Sequence, residues 1–376
     1  MSFINDTVKM KGFRKMDFES LLQIKEDLWS YLAKTTKSIV IYGTGNGADK
    51  IIDVLNSRNI NIYGIFASDG FVRDRTFRGF KVKHYSDFCN ELDNFIVLVS
   101  FASQRDEVLE KIYKIDSEQE LFAPDVPVYG TGLFDLQYFH DNVDKFKKVY
   151  SKLSDELSRK TYINTIAYKL TGKIAYLQDC ETSKDEIYTL LDKSSKCKNY
   201  IDVGAYTGDT VEEYIKYFGS NMKLYAFEPD SKNYTKMLKR FENNNTVCET
   251  FNNPVWNTCE MISFDSLSGR SASASENSSK HVQSCMAVSL DSFNFEDIGI
   301  VKIDAEGSDA NVLKGMANLI SESVHCIKTA AYHRNEDYFN LPETVDLFND
   351  EYDLYMRHLK YVPAWDTDYI FVFKNR

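Results

Sequence analysis

Four short stretches in the second half of the sequence carry side chains whose type and spacing suit chemistry on a bound ligand. The first is Asp202-Val203-Gly204-Ala205-Tyr206-Thr207-Gly208-Asp209-Thr210, an apolar strand that runs into a tight glycine turn and then a helix. Gly204 lets the backbone approach a ligand closely, and Gly208 lets the helix begin against the strand. Twenty residues after Gly208 the next strand ends in Glu228-Pro229-Asp230. A carboxylate there can accept hydrogen bonds from both hydroxyls of a ribose. The turn lacks the G-x-G-x-x-G spacing that seats a pyrophosphate on a helix N-terminus. Its leading acid suits a ligand carrying an amine and a sulfonium, and would repel a diphosphate. The cofactor-side set is therefore Asp202, Gly204, Ala205, Tyr206, Gly208, Asp209, Thr210, Glu228 and Pro229, with Asn253 and Pro254 in a loop beside an adenine ring. A tight turn with no ligand, and an acid at 228 that only caps the next helix, are the plainer alternatives.

The third stretch, Val301-Lys302-Ile303-Asp304-Ala305-Glu306-Gly307, closes an apolar strand with two carboxylates one residue apart. Ligands bind at this edge of a doubly wound sheet, so Asp304 and Glu306 can orient an acceptor hydroxyl or take its proton. Their alternative is capping of the helix that begins near Ser308, where the dipole favours acids. In the fourth, Ala331-Tyr332-His333 brings an imidazole to the same rim, either as a catalytic group or as a satisfied structural histidine. The six histidines show no metal-ligand spacing, and no metal is expected.

A weaker pattern lies near the start. Gly43-Thr44-Gly45-Asn46-Gly47-Ala48 follows a short apolar strand and precedes a helix, and Asp69 ends the second strand. Gly43, Gly45, Asn46 and Asp69 are the candidate nucleotide-binding residues. The alternative is a degenerate unit that only helps association, including into a homo-oligomer.

These residues must be held by alternating strands and helices. Apolar helical spacing over 15–35 predicts one amphipathic lead-in helix. Strands follow at 38–42, 60–66 and 95–99, with β-like pieces at 80–85 and 126–129 and helices at 48–58 and 105–114. Residues 133–191 read as helical, with a break at Gly172. Beyond them come strands at 200–203, 223–228, 299–304, 325–333, 352–358 and 368–373. Helices are expected at 209–218, 231–242, 308–320 and 341–350, implying a mostly parallel sheet covered on both faces. Residues 263–279, with their many serines, read as a surface loop or substrate lid. The expected units are a lead-in over 1–37, a small Rossmann-like unit over 38–130, a helical connector over 131–199 and a second α/β unit over 200–376.

Composition narrows the partners. With 45 Lys+Arg against 56 Asp+Glu, a net charge of −11 speaks against nucleic acid or an anionic membrane surface. No apolar run reaches the length of a membrane span. The seven cysteines form no C-x-x-C pair, which fits a reducing cytoplasm better than a disulfide framework.

Taken in order, Asp202-Val203-Gly204-Ala205-Tyr206, Phe227-Glu228-Pro229, Lys302-Ile303-Asp304-Ala305-Glu306-Gly307, Tyr332-His333 and Tyr355-Met356-Arg357-His358 resemble the FkbM family of S-adenosylmethionine-dependent methyltransferases, over roughly residues 155–373. Ile303 and Ala305 replace the usual Met and Ile of that family's K-M-D-I-E-G run and leave both carboxylates intact. The resemblance implies a Rossmann-like class I methyltransferase sheet of seven strands, one antiparallel, behind the smaller α/β unit. It also implies S-adenosyl-L-methionine as cofactor and O-methylation of a sugar hydroxyl on a glycan, glycoconjugate or nucleotide-linked sugar. Asn253-Pro254-Val255-Trp256 resembles the N-P-P-aromatic signature of amino-group methyltransferases but lacks its second proline and precedes the middle strand. The first unit is similar to the nucleotide-sugar-binding domain of sugar acyltransferases, so a nucleotide sugar is its expected ligand. Two other classes stay open: an NAD(P)-dependent sugar oxidoreductase or epimerase built on the Gly43 turn, and a non-catalytic glycan-assembly scaffold.

Overall fold

The computed structural model describes residues 16–130, 132–194, 199–265, 282–322 and 324–374. Two short helices, α1 (Phe18–Leu21) and α2 (Leu28–Lys34), replace the single lead-in helix. The Asp27 carboxylate accepts the Ser30 N–H at 2.7 Å, and this N-cap starts a new helix instead of continuing the first.

The first sheet comprises β1 (Ser38–Tyr42), β2 (Gly64–Phe66), β3 (Thr76–Phe77), β4 (Phe80–Lys83), β5 (Phe95–Val99) and β6 (Glu120–Phe122), in the order β3-β4-β2-β1-β5-β6. Only the β3–β4 hairpin is antiparallel. Helices α3 (Asn46–Ser57), α4 (Tyr85–Glu91) and α5 (Asp106–Glu118) cover it. The strand expected at 126–129 lies instead at 120–122. Pro124 and Pro127 cannot donate to a ladder, so the chain leaves the sheet there.

Five helices follow: α6 (Leu136–Asp141), α7 (Val143–Lys152), α8 (Glu156–Thr171), α9 (Ala175–Asp179) and α10 (Lys184–Ser194). Helix α8 is buried along most of its length because it packs on both sheets. Its Tyr162, Ile163 and Ile166 join the core of the second sheet, and its Tyr168 joins that of the first. It ends where expected, at Gly172, whose φ of +67° makes a left-handed cap against Leu28 and Phe122.

The second sheet comprises β7 (Asn199–Val203), β8 (Leu224–Phe227), β9 (Glu249–Phe251), β12 (Ile298–Ile303), β13 (Cys326–Ala330), β14 (Tyr352–His358) and β15 (Thr367–Phe373). A separate hairpin is formed by β10 (Met261–Asp265) and β11 (Val282–Met286). Strand order is β14-β15-β13-β12-β7-β8-β9, with β15 antiparallel to both neighbours and the other six parallel. Seven strands with one antiparallel are thus observed. β9 and the hairpin were not legible, and most of the serine-rich stretch lies outside the described residues. Alternation along the strands fills two cores. Tyr200, Ala226, Ile300 and Ile370 meet α10, α11 (Asp209–Phe218) and α12 (Ser231–Asn244); Ile201, Val301, Ile327 and Phe371 meet α7 and α8, α13 (Asp309–Lys314) and α15 (Asp337–Phe348).

The helix expected over 308–320 is broken into α13 and α14 (Ala317–Ser321). Gly315 lies so close to the Trp256 carbonyl that a Cβ would sit 2.0 Å from it, and Asp291 caps the second piece through the Asn318 N–H at 2.9 Å. Helix α15 starts before position 341, with Pro342 inside it.

Candidate functional site

The chain runs β7-β8-β9 to one side and β12-β13 to the other, so a crevice opens at the C-terminal ends of β7 and β12. A cavity of about 490 Å³ occupies it and continues toward α10 and α11. Nine expected cofactor-side residues line it: Gly204, Ala205, Tyr206, Asp209, Thr210, Glu228, Pro229, Asn253 and Pro254.

Asp202 and Gly208 do not reach the wall. The parallel register sets Asp202 beside Lys302, and the fully buried carboxylate pairs with that ammonium at 3.0 Å while accepting the Thr210 hydroxyl. Lys302 also donates to the Gly204 carbonyl at 2.9 Å. Asp202 therefore shapes the turn from behind instead of meeting a cationic ligand. Gly208, at φ +80°, faces Phe241 of α12, where a Cβ would lie 2.4 Å from the ring. Gly204 is needed for a different close approach than expected. At φ +77° its Cβ would sit 1.9 Å from the Asp304 carbonyl, so the glycine joins the β7 turn to the β12 end.

Glu228 ties two loops together. Its carboxylate accepts the N–H groups of Tyr206 and Asp230, each at 2.8 Å. Burial pushes its pKa up to about 7 despite those two bonds. The helix cap is Asp230, which accepts the Lys232 and Asn233 N–H groups at 3.0 and 2.9 Å. Asn253 donates to the Met286 carbonyl at 2.9 Å, anchoring its loop to the hairpin.

Across the cavity stand Asp304 and Glu306. Capping of the helix beyond them belongs to Asp309, whose carboxylate accepts the Ala305 and Gly307 N–H groups at 3.0 and 3.1 Å. Glu306 holds a positive φ of 51°, a strained conformation for a non-glycine residue. His333 is 2% exposed and does not line the cavity. Its Nδ1 lies 2.9 Å from Asp309, and its Nε2 lies 3.2 Å from Asp304 and 3.6 Å from Glu306. Burial alone would lower the imidazole pKa, but the Asp309 and Asp304 carboxylates hold it well above its ordinary value. An imidazolium so enclosed is a brace for carboxylates and not a base. Burial would raise Asp304, yet the His333 hydrogen bond and the Lys302 charge hold it well below the usual range. Glu306 is pushed up to about 7 by burial, with the Asp304 charge adding to it. Asp309, His333 and Asp337 come close enough to hold an ion, but Asp337 accepts the Arg334 N–H at 2.8 Å and Asp309 is occupied as above. Asp309 and His333 are also hydrogen-bonded to each other at 2.9 Å.

Several wall residues were not legible. Tyr332 donates to both Asp304 oxygens at 3.3 and 3.4 Å. Its ring is nearly parallel to Trp365, which also meets Tyr361, and Asp366 and Asp368 lie beside them. The run Trp365-Asp366-Thr367-Asp368 at the head of β15 was the available signal. Gln104 and Val128 enter from the first half of the chain.

The early candidates stand apart from this cavity. Gly43, Gly45 and Asn46 form the turn from β1 into α3, with Arg75 donating to Thr44. Asp69 is exposed and paired with His84 at 2.9 Å.

Residues 202–363 match the methyltransferase FkbM domain model. The second unit is a methyltransferase FkbM domain. A solved FkbM methyltransferase from Methylobacillus flagellatus KT is similar in fold, with a TM-score of 0.68, 17% identity and 90% of each chain covered. That coverage extends the shared fold over both sheets. An rRNA methylase from Streptococcus thermophilus (TM-score 0.34, 12% identity, 51% of this chain and 95% of that one) and a fibrillarin from Aeropyrum pernix with bound S-adenosyl-L-methionine (0.32, 10%, 47% and 67%) are far more distant. The sequence has no match among curated proteins. Among the described residues, no helix is long and apolar enough to cross a membrane.

Proposed function

We propose that this protein is an FkbM-type methyltransferase that takes S-adenosyl-L-methionine and methylates a hydroxyl of a carbohydrate or glycoconjugate. One observation carries the reading. Glu228, fixed by two backbone N–H groups at the end of β8, faces Asp304 and Glu306 across one cavity.

The lining charges fit a cationic cofactor. Asp209, Glu213, Glu228, Asp304, Glu306, Asp366 and Asp368 outnumber Lys184, Lys302 and Lys328. Each lysine is already paired, with Glu213 at 2.7 Å, Asp202 at 3.0 Å and Asp368 at 2.6 Å. No uncommitted ammonium among the described lining residues is left for phosphate, which argues against nucleic acid or a nucleotide sugar whose phosphates enter this cavity. Glu228 would hold the ribose hydroxyls, and Asn253 and Pro254 would flank the base. When bound, the cofactor supplies an electrophilic methyl on a sulfonium. The protein's main task is then alignment of the acceptor oxygen with that methyl. Glu306, about half ionised at neutral pH, is poised to take the hydroxyl proton. Asp304, kept ionised by His333, orients the hydroxyl. Tyr332, Tyr361 and Trp365 offer apolar faces to the C–H side of a sugar ring. The cytoplasm, where its free cysteines stay reduced, is the compartment we assign.

Calorimetry with S-adenosylmethionine, S-adenosylhomocysteine and NAD(H) tests the cofactor. Binding of the first two is expected, and absence of both would overturn the reading. Loss of a methyl group from cellular glycans in a deletion strain, read by mass spectrometry, would identify the acceptor class.

A further inference from the structure

We propose that Tyr129 is a positioning residue for Glu306, so that the segment leaving the first sheet completes the methyl-transfer site. The proposal rests on the reading of Glu306 as the group that meets the acceptor proton.

The Tyr129 hydroxyl donates to Glu306 Oε2 at 3.2 Å. Its ring lies over Gly307, where an added Cβ would sit 3.0 to 3.1 Å from it; Gly307, at φ +87°, leaves the room the tyrosine fills. The ring also meets His333 edge-on at 6.0 Å, and the Tyr129 N–H reaches the His333 carbonyl at 3.3 Å. Tyr129 thus touches the strained Glu306–Gly307 turn and its imidazolium brace together. The groups facing Glu306 are His333, Asp304, Asp309, Tyr332 and Tyr129, while Arg334 holds the turn through the Gly307 carbonyl at 2.7 Å. Tyr129 is the member of this set that comes from the first half of the chain.

The segment is secured at several points. Ala123 N–H bonds the Gly172 carbonyl at 2.8 Å, and Asp125 pairs with the nearly buried Lys169 at 2.8 Å, both tying it to the end of α8. Lys50 of α3, half-buried, donates to the carbonyls of Pro127 and Val128 at 2.8 and 3.1 Å. Lys50 lies one turn into the helix that follows the Gly43 turn. The first sheet therefore sets the place of Val128, which lines the cavity, and of Tyr129, which holds a carboxylate behind it.

A phenol that donates to a carboxylate favours its ionised form. In full-length protein carrying ¹³C-carboxyl glutamate, with E306Q for assignment, the NMR midpoint of Glu306 should rise in Y129F by about half a unit to one unit. S-adenosylhomocysteine affinity should stay within about twofold, and the acid limb of any turnover profile should move with the midpoint. K50M, which loosens the segment without touching Glu306, should raise the midpoint in the same direction by less. An unmoved midpoint in folded Y129F overturns the proposal, as does a rise in a distant glutamate of equal size. Wild-type binding of S-adenosylhomocysteine is scored separately, so failure of the methyltransferase reading would be seen there and not in the Glu306 titration.

Discussion

Each of the two sheets presents a glycine turn after its first strand, and the two turns are built alike. In the first, Gly43 and Gly47 press against Ser100 at the end of β5, where their Cβ atoms would lie 2.5 and 2.2 Å from its hydroxyl and carbonyl oxygens. In the second, Gly204 presses against Asp304 at the end of β12. All three glycines serve close contact with the end of a neighbouring strand. The difference lies in what stands at equivalent places. Ser100 is buried and returns its hydroxyl to the Tyr42 carbonyl at 2.8 Å, whereas Asp304 turns a carboxylate to a cavity. Asp69, which the sequence puts at the end of the second strand, lies in the turn beyond β2, exposed and paired with His84, whereas Glu228 directly follows β8, buried and bonded to the Tyr206 N–H. A glycine turn marks a close backbone approach, and the residues around it decide whether a ligand follows.

The largest break of this comparison is Gly204→Ala. A left-handed φ and overlap with a backbone carbonyl should cost on the order of 3 kcal/mol or more, seen in urea unfolding, together with loss of S-adenosylhomocysteine binding. Gly45→Ala meets nothing within 4 Å and should cost at most about 1 kcal/mol. If the two variants behave alike, the packing account of Gly204 fails.

Next comes Asp304→Ala, for which we expect turnover to fall at least about a hundredfold while S-adenosylhomocysteine affinity stays within a few-fold. Its counterpart Ser100→Ala should cost about 1 kcal/mol of stability and leave turnover intact. Wild-type turnover in Asp304→Ala would remove that carboxylate from the chemistry.

Most strands were legible because buried parallel strands read as continuous apolar runs bounded by turns, as at 38–42, 95–99 and 298–303. What escaped notice had no such signature. β9 is three residues of mixed polarity, Glu249-Thr250-Phe251, made a strand by pairing with β8. The break at Gly315 comes from a carbonyl contributed by residue 256. At the site, residue types and sheet edge placed Glu228, Asp304 and Glu306 near one another. Side-chain direction stayed hidden. Asp202 turns inward to Lys302 because the register puts them side by side, and His333 is enclosed by carboxylates from two elements. Tyr129 could not be found from its neighbours in sequence, since its role depends on a segment crossing from one sheet to the other.

The smallest effect sharpens the contrast between Glu228 and Asp69. Glu228, with its pKa raised to about 7 by burial, is largely protonated at pH 6 and largely ionised at pH 8. On the proposed contact, ribose hydroxyls would donate to the carboxylate, so binding would select the ionised form and release a proton. Affinity for S-adenosylhomocysteine should therefore rise about tenfold from pH 6 to pH 8 and level off above it, the fraction ionised changing by that factor. Glu228→Gln removes the titration. It should bind more weakly than wild type at pH 8 and show a much flatter profile. Asp69→Asn, whose parent carboxylate is exposed and not among the cavity-lining residues, should reproduce the wild-type profile within about twofold. Calorimetry in buffers of different ionisation enthalpy counts the proton directly. A wild-type affinity that does not change between pH 6 and pH 8 would remove Glu228 from the cofactor contact and leave it the simpler task of holding the Tyr206 turn to the start of α12.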